Sequence, residues 1–246
     1  MPHHFRDARG IYEIWAAAAD VVVHHSEYGR RLMQAEYTYG PHARHVVIPH
    51  GHWGERIRRF RPKGGKAEAE AALGLEPAAI RIGVIGAPRR EKDVQLVLDA
   101  MHASHRDDVQ LCVWSLAGET VPDDPRIVAY PYTMVDQAVY AQRLFALDAL
   151  LMPFEGGMLT TGTVGDALGA GLPTLASSWE YLRESLGSAA IPYGETVDDL
   201  TRCIDGLSRE QLDAAAAATA SGRASADWSV IAEATLAVLD EVVGGR

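Results

Sequence analysis

From Asp148 to Ser177 the chain reads DALLMPFEGGMLTTGTVGDALGAGLPTLAS. The run Ala149 to Met152 has the length and apolar character of a buried strand, and Pro153 stops it. A glycine- and threonine-rich segment, Glu155 to Thr163, follows and leads into a small-residue helix, Val164 to Ala170. Gly171 and Pro173 end that helix, and Thr174 to Ala176 is a second apolar strand. Strand, loop, helix and strand in this order make one βαβ unit of a parallel sheet. Ligands of such sheets bind beyond the carboxyl ends of the strands, where the loop Glu155–Thr163 must lie. Gly162 and Thr163 stand where the helix begins, so free backbone N–H groups and the positive end of the helix dipole meet there. That suits a phosphate. The same segment also reads as an ordinary βα loop with a threonine N-cap.

The 246 residues allow one large or two small domains, and 48% of them are hydrophobic, enough for a sizeable core. No apolar run approaches the ~20 residues of a membrane span. MPHHFRDARG at the start lacks the apolar stretch of a signal peptide. Cys112 and Cys203 show no CxxC spacing and read as reduced packing residues of a cytoplasmic protein. A net charge of −10 argues against a nucleic-acid binder. Residues 1–65 nonetheless carry ten Lys/Arg against six Asp/Glu, with RIRRFRPK (Arg56 to Lys63) the one basic cluster. That cluster reads as a solvated linker or as a contact with an anionic membrane surface or acidic partner, which would make the protein peripheral at a membrane.

In chain order, Ile11 to Ala19 predicts an alanine-rich helix against a sheet, and Asp20 to His25 a buried, β-branched strand. Ser26 caps a helix to about Ala35, and His45 to Pro49 is a second short strand. A turn-rich basic connection follows His50–Gly51, then a helix from Lys66 to Leu73. The main pattern starts with a strand at Ile80–Ile85, the loop GAPRREKD and a helix from Val94 to Ser104. Strands at Val109–Leu116 and Ile127–Tyr130 come next. In the helix Asp136–Leu147, Val139, Tyr140, Leu144 and Leu147 share one face and predict core. Beyond the opening unit lie a helix at 178–186, a short strand Ala189–Ile191 and three final helices, Thr196–Leu207, Arg209–Thr219 and Trp228–Val243. The expected fold is α/β: a doubly wound, Rossmann-like parallel sheet of about six strands covered on both faces, with a small N-terminal α/β portion.

ADVVVHHSEYGRRLM, HVVIPHG, IGVIGAPRREKD, LDALLMPFEGGMLTTGTVGDALGAGLPTLAS and DWSVIAEATLAVLDEV occur in the order found in GT-B glycosyltransferases, and the chain resembles the retaining group of GT4 type. The likeness spans residues 15 to 243. It implies metal-independent sugar transfer from a nucleoside-diphosphate donor, without a cofactor. It also implies a donor domain over 51–228, a remnant of the acceptor domain over 1–50 and a last helix, 229–246, that packs back on that remnant. Members hold the diphosphate with an Arg and a Lys after the first donor-domain strand. By this resemblance Arg89 and Lys92 fill those roles beside Gly86, while Ala87 stands where an Arg often follows the glycine. The ribose-binding glutamate corresponds to Asp166. The glutamate eight residues earlier corresponds to Met158, so that carboxylate is missing and Glu155 is its nearest substitute.

Thr160, Thr161, Gly162 and Thr163 resemble the form of this loop in which hydroxyls and N–H groups hold phosphates. The base would lie near Tyr130–Thr133, around Tyr132. His50 and His52 would lie at the hinge, facing the cleft. The family's acceptor domain is much longer than residues 1–50, so the expectation is a fragment, a minimal enzyme or one subunit of a split transferase. The last would need a second chain or a homo-oligomer to bring the acceptor site, and a degenerate, binding-only member is the alternative to an enzyme. Eight of the ten histidines lie within residues 1–52 but fit no metal-binding spacing. His24 and His25, adjacent on a strand, point to opposite faces.

Overall fold

The computed structural model describes residues 9–244; the calls on His3 and His4 lie outside them. The chain runs α1 (Arg9–Ala18), β1 (Val21–His24), α2 (Glu27–Glu36), β2 (Arg44–Val47), α3 (Gly54–Arg58), α4 (Gly65–Ala72), β3 (Ile80–Val84), α5 (Val94–Ala103), β4 (Val109–Leu116) and β5 (Ile127–Pro131). It continues α6 (Gln137–Phe145), β6 (Ala149–Met152), α7 (Gly162–Ala170), β7 (Thr174–Ala176), α8 (Glu180–Leu186), β8 (Ala190–Pro192), α9 (Val197–Asp205), α10 (Arg209–Ser225) and α11 (Trp228–Gly244).

Six strands form one all-parallel sheet in the order β5-β4-β3-β6-β7-β8. From β3 the chain winds outward through β4 and β5, then returns to start again at β6 and winds the other way. The order therefore reverses between β3 and β6, and the loops that leave these two strands open a crevice at their carboxyl ends. Alternate residues feed opposite faces. Ile82, Leu111 and Leu151 pack with Val97, Leu98 and Leu200 of α5 and α9, while Cys112, Leu150 and Met152 pack with Leu144, Val164 and Leu182 on the other face. Asp93, Asp136, Thr161 and Thr196 cap α5, α6, α7 and α9 with their side chains, which explains why each helix starts where it does. Both cysteines are free.

β1 and β2 make a separate two-stranded parallel sheet with α2 against it. The expected buried strand is only half covered: Val23 is exposed, because β1 has one strand neighbour and α2 shields a single face. Likewise α1 turns Ile11, Ile14 and Trp15 outward and buries only Ala16, so it does not pack on a sheet as expected.

The basic stretch after His50 is not a solvated linker alone. Its first part folds as α3 and lies on α7, where Trp53 and Gly54 pass directly over Gly165 and Gly169. A methyl group at either glycine would meet backbone atoms at 2.9 and 2.8 Å, so the crossing needs glycine. Arg58 Nη1 donates to the Gly169 carbonyl at 3.4 Å, and Arg61 lies over the Phe145 ring. α11 returns to the N-terminal portion: Trp228 contacts His50 and Trp53, and Glu241 pairs with Arg44.

Candidate functional site

The loops after β3 and β6 are stitched together at the reversal point. Asp93 N donates to the Pro153 carbonyl at 2.8 Å, and Glu155 N to the Glu91 carbonyl at 2.9 Å. Lys92 and Phe154 pair across the junction. Gly86 ends β3 with φ +87°, a conformation that L side chains rarely adopt, and turns the loop back over the crevice. Its Cα hydrogen points between Lys92 Nζ and Thr163 Oγ1, so three predicted residues from two loops converge on one spot.

The resulting cleft of about 180 Å³ is lined by Gly86, Arg89, Lys92, Thr161, Gly162, Thr163 and Asp166, all predicted, together with Trp53, Ala87, Tyr140 and Phe154. Lys92 is buried. Its ammonium shares its three protons among four acceptors, the carbonyls of Ile85 at 2.8 Å, Gly86 at 3.2 Å and Ala87 at 3.0 Å and Ser115 Oγ at 3.2 Å. These acceptors are all neutral. Burial, aided by the nearby Arg89 guanidinium, pulls the Lys92 pKa down to about 8. At the start of α7, Thr163 N reaches its cap, Thr161 Oγ1, only at 3.5 Å. So long a bond leaves that N–H open to a stronger acceptor.

Asp166 projects from α7 beside this N-terminus. Burial pushes its carboxyl up to about 7, against the opposing effects of the Tyr140 hydroxyl and the Arg56 charge. Tyr140 Oη donates to Asp166 Oδ2 at 2.7 Å, which leaves the other oxygen for a ligand. Burial and the same carboxylate raise the Tyr140 phenol, which stays protonated and remains a donor. A second cavity of about 300 Å³ continues from Tyr140 and Asp166 towards Arg56, Ile57, Val135 and Gln137, with Trp53 forming the wall between.

Other predicted residues fall elsewhere. Glu155 lines a separate cavity with Asp93, Ser177, Ser178 and Glu195, on the far side of the Phe154 ring from the Lys92 cleft. Thr160 is turned away: its hydroxyl bonds Tyr181 Oη at 2.6 Å. Met158 is a core residue. Tyr132, half-buried, follows β5 and lies near enough to Tyr140 to influence its phenol electrostatically. His50 Nδ1 bonds the Gly51 carbonyl at 2.9 Å, and His52 is buried at the wall of a neighbouring groove with Trp228; neither lines the cleft. Among the described residues no group of three His, Cys, Asp or Glu side chains could hold a metal ion, and no helix is long and apolar enough to cross a membrane.

Tyr140, Trp53, Arg56 and Ser115 were not foreseen. Tyr140 carried a signal, since a tyrosine on a core-facing helix stripe needs a partner for its hydroxyl. The place of Trp53 in the cleft wall carried none, because it follows from the crossing of α3 over α7.

No family model and no curated protein matches the sequence. Solved structures do resemble the chain. HepE from Anabaena, solved in complex with UDP and glucose, superposes with a TM-score of 0.78 at 15% identity, covering 98% of this chain and 69% of its own. Sucrose-phosphate synthase from Thermosynechococcus elongatus gives 0.72 at 16% identity, covering 96% and 62%. WaaG, a glycosyltransferase involved in lipopolysaccharide biosynthesis, gives 0.63 at 16%, covering 86% and 60%. The chain thus spans about three fifths of the length of two of these three proteins. At such identities the likeness shows the fold, and that fold is the GT-B fold of glycosyltransferases.

Proposed function

We propose that this chain is the donor-binding part of a glycosyltransferase, or a small glycosyltransferase, that moves a sugar from a nucleoside-diphosphate sugar to an acceptor with retention and without a metal. One observation carries this reading. A single cleft at the reversal point of the sheet joins two cationic side chains, a helix N-terminus and a carboxylate paired with a tyrosine. Arg89 and Lys92 suit the diphosphate, Gly86 lets it approach the backbone, and the Gly162 and Thr163 N–H groups cradle it. Asp166, oriented by Tyr140, suits the ribose hydroxyls, and the adjoining cavity with Gln137 and Arg56, near Tyr132, suits the base.

During transfer the bond from the anomeric carbon to the diphosphate oxygen breaks, that carbon bonds the acceptor oxygen, and the acceptor proton leaves with the nucleoside diphosphate. The departing diphosphate gains charge, which the two cations stabilise more strongly than they stabilise the bound donor. Glu155, the nearest substitute for the missing carboxylate, lines the neighbouring cavity beyond Phe154, so its contact with the sugar requires the donor to reach past that ring. The UDP-bound state of HepE makes UDP-glucose the first donor to try. The exposed face of α1 and β1 is the place we assign to a polypeptide bearing the acceptor site.

Burial of Met158 where a carboxylate is expected favours a second reading, a module that binds nucleotide sugars without transfer. Thermal unfolding with UDP, GDP, ADP and TDP, each with and without EDTA, tests the first. At about 100 times its Kd a ligand adds about 2.7 kcal/mol. One nucleotide standing out, unaffected by EDTA, supports the donor site; no shift with any of them refutes it. Release of free nucleotide from the matching nucleotide sugar, measured with acceptor candidates present, separates transfer from binding alone.

A further inference from the structure

A groove of about 700 Å³ runs beside the nucleotide cleft and shares Trp53 and Arg56 with the wall of the base cavity. We infer that this groove is a saccharide-binding site, in which a pyranose ring lies on the indole of Trp228 while its hydroxyls are held by Asp227, His52, Glu55 and Arg56.

Trp228 is 49% exposed yet immobilised. Its Nε1 donates to the His52 carbonyl at 2.9 Å. Its ring lies against Gly51 so closely that a Cβ there would stand 2.4 Å from it. Held this way, it presents one rigid apolar face, and the entropy cost of ordering it has been met before any ligand arrives. Trp53 stands beside it at a centroid distance of 5.7 Å and a tilt of 46°, forming a second wall.

The polar groups match hydroxyls. Gly54 N donates to His52 Nδ1 at 2.9 Å, so in the neutral ring the proton sits on Nε2. That nitrogen is buried and lies 3.6 Å from Asp227 Oδ2, and the Arg223 backbone is a further polar neighbour of the ring. The other oxygen of Asp227 is already taken by Ser229 N and Oγ at 2.9 and 2.7 Å. A hydroxyl bridging the two from the groove could accept from Nε2 and donate to Oδ2. Charge decides the class of ligand. Glu55 and Asp227 line the groove together with Arg56 and Arg59, two charges of each sign, so the lining has no net charge and suits a neutral, hydroxyl-rich ring rather than an anion. An apolar plate rimmed by groups that both donate and accept is complementary to a sugar ring, which has an apolar face and a hydroxyl edge.

The test is an array of neutral and anionic oligosaccharides probed with the labelled protein, followed by calorimetry on the strongest binder. A neutral glycan should bind, and Trp228→Ala and Asp227→Asn should each weaken it tenfold or more. Lys92→Ala, in the other cleft, should leave it unchanged. Should Trp228→Ala fail to fold, the partly exposed Asp227→Asn and the more conservative Trp228→Phe carry the same comparison. Binding of no neutral glycan by the folded wild type, binding of anionic glycans alone, or full affinity in the folded Trp228 and Asp227 variants each overturns the inference. Because nucleotide binding is read separately, failure here leaves the donor site standing, and the reverse also holds.

Discussion

The two ends of the central sheet treat charge in opposite ways. At the amino-terminal end, charges are matched inside the protein. Asp148, whose side chain is 9% exposed, takes Lys66 Nζ at 2.5 Å, Arg81 N at 2.7 Å and Arg209 Nη1 at 2.7 Å. Arg81 is wholly buried and bonds Glu70 at 3.1 Å, Cys112 Sγ at 3.3 Å and the Glu76 carbonyl. At the carboxyl end, Lys92 meets only neutral oxygens and Asp166 only a phenol, and their pKa values move to about 8 and about 7, each towards the uncharged form. Counter-ions built into the fold serve stability. Charges held without them mark a site that a ligand can complete, and in the function proposed above phosphate oxygens would complete one and hydroxyls the other.

The strongest way to break this contrast lies at the amino end. Arg81→Met leaves Glu70 in the interior with only the longer 3.6 Å contact to Lys66 and should cost about 3–5 kcal/mol, lowering Tm on the order of 10 °C, while nucleotide still raises Tm by its usual increment. Chemical denaturation showing a loss below about 1 kcal/mol would mean that the buried pair is not what holds this end.

At the carboxyl end the expected losses are in binding. Lys92→Ala should weaken a nucleoside diphosphate by about 1.5–3 kcal/mol, tenfold to a hundredfold, and the free nucleoside far less. Equal losses for both in calorimetry would show that Lys92 supports the loop and does not meet the diphosphate.

Titration sharpens the comparison further. Nucleotide affinity should fall below about pH 7 as Asp166 takes up a proton, and above about pH 8 as Lys92 gives one up. The Tyr140 hydrogen bond lowers the Asp166 pKa, so Tyr140→Phe should move the acid limb to higher pH, and Asp166→Asn should abolish that limb. An acid limb unchanged in Asp166→Asn would assign the proton to another group.

The smallest effect concerns the empty protein. The Asp166 pKa is raised from 3.8, so its stabilising contribution is complete below about pH 4 and is lost as pH rises through about 7. Lys92, lowered from 10.5, has the opposite profile: its contribution is weakest below about pH 8 and recovers as pH rises towards 10.5. Asp166→Asn should therefore raise the Tm of the unliganded protein by a few degrees at pH 8, corresponding to about 1 kcal/mol, and hardly change it at pH 4. A lower Tm at pH 8 would mean that the carboxylate is better compensated than its surroundings imply.

Periodicity and composition determined the elements. Short apolar runs such as Ala149–Met152 and Thr174–Ala176, punctuated by Pro153, Gly171 and Pro173, have the length of buried strands and are strands, and side-chain caps such as Ser26 and Asp136 mark helix starts locally. Gly162 and Thr163 were marked by the strand-loop-helix pattern itself, whereas Gly86 and Lys92 were marked only by the family resemblance; the structure brings all four to one cleft, because in a doubly wound sheet the loops after neighbouring strands meet at the reversal point.

Burial and long-range pairing were not legible, because they depend on which surfaces meet. Val139 and Tyr140 have the spacing of core residues, yet only the approach of α6 to α7 turned the Tyr140 hydroxyl onto Asp166. Glu155 is close to the cleft along the chain, but the ring of Phe154 separates it from Lys92. Trp228 and Gly51 are 177 residues apart, and nothing in either neighbourhood predicts that one forms the back wall of the other. Local chain stiffness and hydrogen bonding are written along the sequence, whereas the partner of a side chain across the fold is set by packing, which only the tertiary structure decides.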